Sequence, residues 1–229
     1  MTDFFANRPH TEIEPPPLPP APAANKVPAA NKAPIIDKEI IIDRQGVVAY
    51  FADFCRHKAD GFFDALLNRE IAWRQDTITL YGKTHPLPRK TAWYSAEGKC
   101  YTYSGITMRG APFPKTIIKI ARLITQKTGY RFNSVFLNLY RDGKDKMAWH
   151  SDDETADLGE HIDIASVSFG AERDFQLRHK ITKEKISLKL KHGSLLFMKH
   201  PLQFHWEHQI PIRRKLNTAR INLTFRNII

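Results

Sequence analysis

The 229-residue chain is 42% hydrophobic and 26% charged, the balance of a globular protein with a sizeable core, and its longest apolar runs, such as Ile40-Ile41-Ile42 and Leu195-Leu196-Phe197-Met198, are too short to span a bilayer. No basic stretch followed by an apolar one opens the sequence, so no signal peptide is expected; Cys55 and Cys100 form neither a CxxC motif nor a disulfide framework, which suits a reducing compartment. A net charge of +11 points to a polyanionic partner, nucleic acid first, although charge alone does not exclude a basic enzyme of another kind.

Nine of the fifteen prolines lie in residues 1–35, within "EPPPLPPAPAANKVPAANKAP" and its flanks. Arg8, Lys26 and Lys32 there balance Asp3, Glu12 and Glu14, so the excess charge belongs to residues 36–229. Such a Pro/Ala-rich segment cannot form ladders or bury enough surface to offset its ordering entropy, and it is expected to be a disordered tail. Its tip, "MTDFF", reads first as an ordinary start of chain, with a docking peptide for a protein partner as the alternative.

The folded domain is expected over residues 36–229. "ADGFFDALLNREIAW" predicts a helix, with Asp60 as cap and Phe63, Leu66, Leu67 and Ile71 on one face. "PKTIIKIARLITQKTGY" predicts a second, with Ile117, Ile120, Ala121 and Ile124 facing inward and Gly129 as the stop. Thereafter the period becomes two. Strands are predicted at 134–140, 164–169, 174–179, 186–191, 194–198 and 219–225. Helices early and strands late suggest a mainly β fold with flanking helices, an antiparallel sandwich or barrel of the jelly-roll kind.

The chemistry begins at "MAWHSDDE". His150 and Asp152 are two apart, so on an extended segment both leave the same face. An imidazole and a carboxylate so placed can fill two sites of a metal, and two histidines with one carboxylate leave the open positions used by non-haem Fe(II) oxygenases. A second histidine is needed from a distant strand. "KHGSLLFMKHPLQFHWEHQIP" offers His192, His200, His205 and His208, and spacing does not choose among them.

The last strand, "ARINLTFRNI", alternates Ile221, Leu223 and Phe225 with Arg220, Asn222, Thr224 and Arg226. Two arginines facing a dry interior need an anion. A dicarboxylate that chelates iron at one end and pairs with a guanidinium fork at the other would serve, and Asn138 and Tyr140 in "FLNLY" can bind the same ligand.

In chain order, "PRK", "YTYSG", "NLYRDGKD", "HSDDE", "IASVSFGAERDFQLRHK", "HGSLLFM", "HWEHQIP" and "ARINLTFR" make the region from about Leu80 to Ile228 resemble the AlkB family of Fe(II)- and 2-oxoglutarate-dependent dioxygenases, most of all its duplex-DNA repair branch. The resemblance implies a double-stranded β-helix core over about 132–229, under a nucleotide-recognition lid over about 75–112. It implies His150, Asp152 and His208 as iron ligands, and so selects His208. It implies Asn138, Tyr140, Arg220, Asn222, Thr224 and Arg226 as the 2-oxoglutarate pocket, with Arg220 on the distal carboxylate and Arg226 nearer the iron.

For the substrate the resemblance implies Tyr81, Gly82, Lys83, Arg89, Tyr101, Thr102, Tyr103, Asp153 and Glu154. Tyr81 matches a wedge into the duplex, and Tyr103 and the His150 ring would clamp a flipped base. Asp153 would accept from an exocyclic amine, with Glu154 and Arg89 as a supporting pair. The repair branch carries phenylalanine where Tyr81 and Tyr103 stand here. Trp73 and Trp93 read better as core. Arg178 and Lys180, with Arg213, Arg214 and Lys215, match loops that hold phosphates. The implied activity is oxidative demethylation of 1-methyladenine and 3-methylcytosine in DNA, double-stranded by preference, with O2 as cosubstrate and release of succinate, CO2 and formaldehyde. An RNA- or protein-directed oxygenase of the same fold, or a catalytically silent nucleic-acid binder, are the alternatives. The chain is expected to be a monomer, at the nucleoid if bacterial or in the nucleus if eukaryotic, and not secreted.

Overall fold

The computed structural model describes residues 38–80, 83–95, 100–103 and 106–229; the expected tail lies outside them. The elements in chain order are β1 (Glu39–Asp43), β2 (Val47–Phe51), α1 (Ala59–Ala65), β3 (Thr77–Leu80), β4 (Lys83–Pro86), β5 (Lys90–Ser95), β6 (Cys100–Tyr103), β7 (Ile106–Arg109) and α2 (Lys115–Thr128). There follow β8 (Ser134–Tyr140), β9 (Met147–His150), α3 (Thr155–Leu158), β10 (Ile164–Gly170), β11 (Arg173–His179), β12 (Lys185–Leu190), β13 (Ser194–Lys199), α4 (Leu202–His205), β14 (Trp206–Ile210) and β15 (Arg220–Arg226). A 3-10 turn at Arg56–Lys58 leads into α1, and a π-helical turn at Leu66–Glu70 follows it.

Two antiparallel sheets form the core. One has the order β1-β2-β13-β10-β15-β8-β5 and the other β12-β11-β14-β9. From β8 onward the chain alternates between the two sheets, except at β11-β12, which pair as neighbours within the smaller one; this is the winding of a double-stranded β-helix. Within the expected lid β3 pairs with β4 and β6 with β7, as two separate antiparallel pairs.

The inner strands β13, β10, β15 and β8 of the seven-stranded sheet are buried on both faces, while the edge strand β1 is largely exposed. One face packs on the helices: Leu137, Val167, Leu195, Ile221, Leu223 and Phe225 share a core with Phe62, Leu66, Ile117, Ile120 and Ile124. The other face packs on the smaller sheet through Phe136, Tyr140, Ile164, Leu196 and Met198 against Phe175, Leu177, Leu190, Trp206 and Ile210. Trp93 is buried in this second cluster and Trp73 packs at the edge of the first, both as core residues.

The helix ends repay inspection. Asp60 is not the cap of α1; it lies inside the first turn, and Lys58 holds the cap position. At α2 the cap comes from elsewhere in the chain: Glu70 accepts from the Thr116 N–H and hydroxyl, both at 2.9 Å. Gly129 ends α2 in the left-handed conformation at φ 79°, with its N–H bonded to Thr125 O at 2.8 Å.

Candidate active site

The site lies between the two sheets, and β15 supplies one wall. Its seven residues are all buried. Period-two geometry sends Ile221, Leu223 and Phe225 to the helix-side core and Arg220, Asn222, Thr224 and Arg226 to the inter-sheet cavity. Register then assembles polar rows. Arg220 pairs with Tyr140 on β8, and Asn222 lies between Asn138 on β8 and Ser168 on β10. Thr224 lies opposite Ser166. Arg220 Nη2 donates to Ser168 Oγ at 2.9 Å, and Asn222 Nδ2 to Ser166 Oγ at 2.8 Å. Ser166 and Ser168 were not among the expected site residues. The alternation of "IASVSF" carried the signal, because both serines sit on the polar parity of β10.

The opposite wall brings the three expected metal ligands together. His208 on β14 pairs directly with His150 on β9, and the ring centroids are 4.2 Å apart. Asp152 follows two residues after His150. One donor atom from each of His150, Asp152 and His208 lies within 4.8 Å of the others. Nε2 of each histidine stands 3.9 Å from an Asp152 oxygen. His150 Nδ1 lies 2.9 Å from Ala148 O, which assigns the proton to Nδ1 and leaves the Nε2 lone pair facing the cluster. His192, His200 and His205 point elsewhere: His192 Nδ1 accepts from Gly170 N, His200 stacks on His161, and His205 lies on α4 beside His179.

Electrostatics makes the cluster ready for a cation. Burial, then the neighbouring His150, push the His208 pKa down to about 3, so the imidazole is neutral. Burial likewise lowers that of His150. Burial alone would raise the pKa of Asp152, but the Arg226 guanidinium and the two imidazoles outweigh it, and the carboxyl stays below its usual range. Arg226 Nη2 donates to Asp152 Oδ1 at 2.7 Å. Two neutral imidazoles and one carboxylate, all buried or half-buried, are the donor set and charge that suit Fe(II). Gln203 was not foreseen. Its buried Oε1 accepts from the Asp152 N–H at 3.1 Å and so fixes the backbone of that ligand.

The far end of the cavity suits an anion. Arg220 is 1% exposed, its Nε and Nη1 have no hydrogen-bond partner, and its Cζ stands 5.1 Å from the Tyr140 ring. Burial pulls its pKa down to about 10, still far above neutrality. A buried guanidinium with two idle nitrogens is costly unless a ligand completes it. Asn138, Tyr140, Asn222 and Thr224 line the same cavity, whose apolar wall is Phe136, Met147, Phe175, Met198 and Ile210.

Among the expected substrate residues the arrangement differs from the expected one. Arg89 does not pair with Glu154: its Nε donates to Asn138 Oδ1 at 2.7 Å, which orients that amide within the cavity. Glu154 Oε2 is buried without a hydrogen bond, and burial together with the nearby Asp152 raises its pKa. Asp153 is exposed and pairs with Lys180 Nζ at 3.1 Å. Lys83 is exposed on β4, and Tyr101, Thr102 and Tyr103 lie on β6. Tyr81 and Gly82 lie outside the described residues.

The basic triplets divide. Arg178 Nε donates to Glu207 at 2.7 Å and its Cζ sits 4.3 Å from the Trp149 ring centre; Arg213 pairs with Asp174. Arg214 and Lys215 are exposed and, among the described residues, form no ion pair.

Comparison with known proteins agrees with this architecture. The family model of the 2OG-Fe(II) oxygenase superfamily matches residues 48–226. The chain is 40% identical to human "DNA oxidative demethylase ALKBH2" over 192 residues, covering 79% of this chain and 73% of that protein. It is 40% identical to bovine "Alpha-ketoglutarate-dependent dioxygenase alkB homolog 3" over 181 residues, 75% of this chain and 62% of that one. The solved structure of OsALKBH1 superposes with a TM-score of 0.55 at 16% identity, over 79% of this chain and 97% of its own, a likeness of fold. A family model running from β2 to the end of β15, and relatives this similar over most of the chain, place the protein in the 2OG-Fe(II) oxygenase superfamily, within its AlkB family.

Proposed function

We propose that the protein removes N-methyl groups from alkylated bases in DNA, 1-methyladenine and 3-methylcytosine above all. As a superfamily member it is a dioxygenase that uses Fe(II), 2-oxoglutarate and O2. The observation that carries the reading is the pairing of a neutral His-Asp-His cluster with an incomplete buried guanidinium across one cavity. The names of its relatives support DNA as the substrate.

His150, Asp152 and His208 would hold the metal. Fe(II) bound there with 2-oxoglutarate and O2 supplies the chemistry that hydroxylates the methyl carbon, after which the hemiaminal loses formaldehyde. The protein's own contribution is position and charge. Arg220 offers two free donors to the distal carboxylate of 2-oxoglutarate, and Asn138 and Tyr140 offer an amide and a phenol beside it. Arg226 and Gln203 hold Asp152 in place from its side chain and its backbone. Phe136, Phe175, Met198 and Ile210 exclude water, which strengthens every charged contact in the cavity.

Methylation at these ring nitrogens makes the base cationic and blocks pairing, so flipping it out costs less. The exposed carboxylate of Asp153, next in the chain to Asp152, suits a cationic base with an exocyclic amine, once Lys180 releases it. Arg214 and Lys215 are free to meet phosphates. In DNA this assigns the protein to the nucleoid or nucleus.

Mass spectrometry tests the reading. Single- and double-stranded oligonucleotides of DNA and RNA carrying one 1-methyladenine or 3-methylcytosine are incubated with Fe(II), 2-oxoglutarate and air. The expected result is loss of one CH2 from the DNA strands with matching formaldehyde. Succinate formation with every oligonucleotide left methylated would overturn it, and demethylation confined to RNA would replace DNA by RNA.

A further inference from the structure

Arg173, at the head of β11, is one of the most buried side chains in the protein at 1% exposure, yet it does not line the cavity. Among the described residues its guanidinium is met by carbonyls only: Nη1 donates to Asp142 O at 3.2 Å, and Nη2 to Asp145 O at 2.9 Å and Pro211 O at 2.6 Å. Nε has no partner. The nearby acids are engaged elsewhere. Asp145 is clasped by Arg141 through both carboxylate oxygens, and Asp174 pairs with Arg213. Arg173 is therefore a buried cation with no hydrogen-bonded carboxylate, and burial lowers its pKa.

It stands next to the site's other uncompensated cation. The Arg173 Cζ lies 5.6 Å from the centre of the Tyr140 ring, and the Arg220 Cζ lies 5.1 Å from the centre of the same ring. Two buried guanidiniums sharing one phenol repel each other. A buried cation pair of this kind is unfavourable alone and becomes favourable when a group of opposite charge enters. The carbonyl clamp explains why Arg173 cannot swing away. The turn at 142–145 is tied to the 211–216 loop, because Gly143 N–H donates to Leu216 O and Arg213 N–H donates to Gly143 O. A Cβ at Gly143 would come within 1.8 Å of Arg213 O, so glycine permits the close approach.

We propose that Arg173 is a positioning residue for the 2-oxo acid: it holds the Tyr140 ring and, with Arg220, makes this end of the cavity selective for a dianion over a monoanion. The inference rests on the dicarboxylate reading of the cavity given above. Arg173 contacts no ligand atom in this scheme; it acts through Tyr140 and through its charge.

The test measures binding, with Mn(II) in place of iron and without O2, so that no turnover intervenes. Titration calorimetry compares 2-oxoglutarate with 2-oxobutyrate, which lacks the distal carboxylate, on the wild type and on Arg173→Gln, Arg173→Met and Arg173→Lys. The glutamine and methionine variants remove the charge in two different ways, one polar and one apolar, so that one folded neutral variant suffices. The expected result is that the neutral variants bind 2-oxoglutarate about tenfold more weakly and 2-oxobutyrate unchanged within about twofold, while lysine restores most of the preference. Equal weakening of both acids would mean a merely structural role and overturn the proposal, as would an unchanged preference in a folded neutral variant. Failure of the wild type itself to prefer 2-oxoglutarate would instead overturn the dicarboxylate reading, and the proposal with it.

Discussion

His208 and His150 hold lone pairs ready because burial keeps their imidazoles neutral, and Asp152 stays ionised because Arg226 lies against it. The three therefore act as one unit, and removing any ligand leaves the others without a shared cation. His150→Ala, Asp152→Ala and His208→Ala are each expected to lower formaldehyde release by at least about a thousandfold, since losses within a cooperating set are not additive. Fluorescence anisotropy with a methylated duplex should show binding within a few-fold of wild type; activity surviving in any of the three would refute the ligand assignment. Cys55 behaves in the opposite way. Burial pushes its thiol from 9.0 up to about 12, and its Sγ donates to Gly193 O at 3.5 Å. Because the folded pKa exceeds the unfolded one, the unfolded chain loses its proton first as pH rises. This contribution to stability is complete below about pH 9 and is lost between about pH 9 and 12. Urea titrations at several pH values should show that decline in a Cys100→Ser background and a shallower one when Cys55→Ala is added. In the same background iodoacetamide should label Cys55 only on unfolding; rapid labelling of the folded protein at pH 8 would contradict the burial.

At the scale of elements, the strands were readable because a polar-apolar alternation of period two is hard to mistake over seven residues. β8 matches its expected span, and β10, β11, β13 and β15 differ from theirs by a residue at one end or at both. β15 was readable in its facing as well: its alternation put Arg220, Asn222, Thr224 and Arg226 on one face, and that face lines the inter-sheet cavity. What escaped were contacts set by distant chain. Glu70 caps α2 from 46 residues away, Gln203 reaches Asp152 across 51, and Arg89 finds Asn138 rather than Glu154. No local period encodes such pairs; they exist only once the sheets have closed. The end of α2 was legible because it is local. Gly129 has φ 79° and open space around an added Cβ, so Gly129→Ala isolates backbone strain from packing. The expected cost is about 1 kcal/mol, a fall in Tm of roughly 2–4 °C, with the urea m-value unchanged. A Tm equal to wild type would mean that the left-handed cap contributes nothing.

At the scale of the whole molecule, basic groups lie both in the inter-sheet cavity and on the surface. The net charge of +11 comes from residues 36–229, and two of its cations, Arg220 and Arg226, line the cavity between the sheets. Several of the basic side chains first read as phosphate contacts are already neutralised: Arg178 by Glu207, Lys180 by Asp153 and Arg213 by Asp174. That leaves Arg214 and Lys215 as the part of the triplet without an ion pair among the described residues, standing on the loop that leads into β15. Each phosphate neutralised by a free cation releases a counterion, so affinity for DNA should fall as salt rises, with a slope of log K against log salt of about −0.9 per contact on a duplex. Arg214→Ala and Lys215→Ala are each expected to make that slope shallower by about one. Arg178→Ala should change it less, because removing Arg178 also frees the Glu207 carboxylate, which repels phosphate and leaves the net change to two opposing effects. The measurement is anisotropy of a labelled duplex from low to moderate salt. Equal slopes for wild type and both loop variants would place the DNA on another face of the protein, and the free cations of that face would then be the ones to replace.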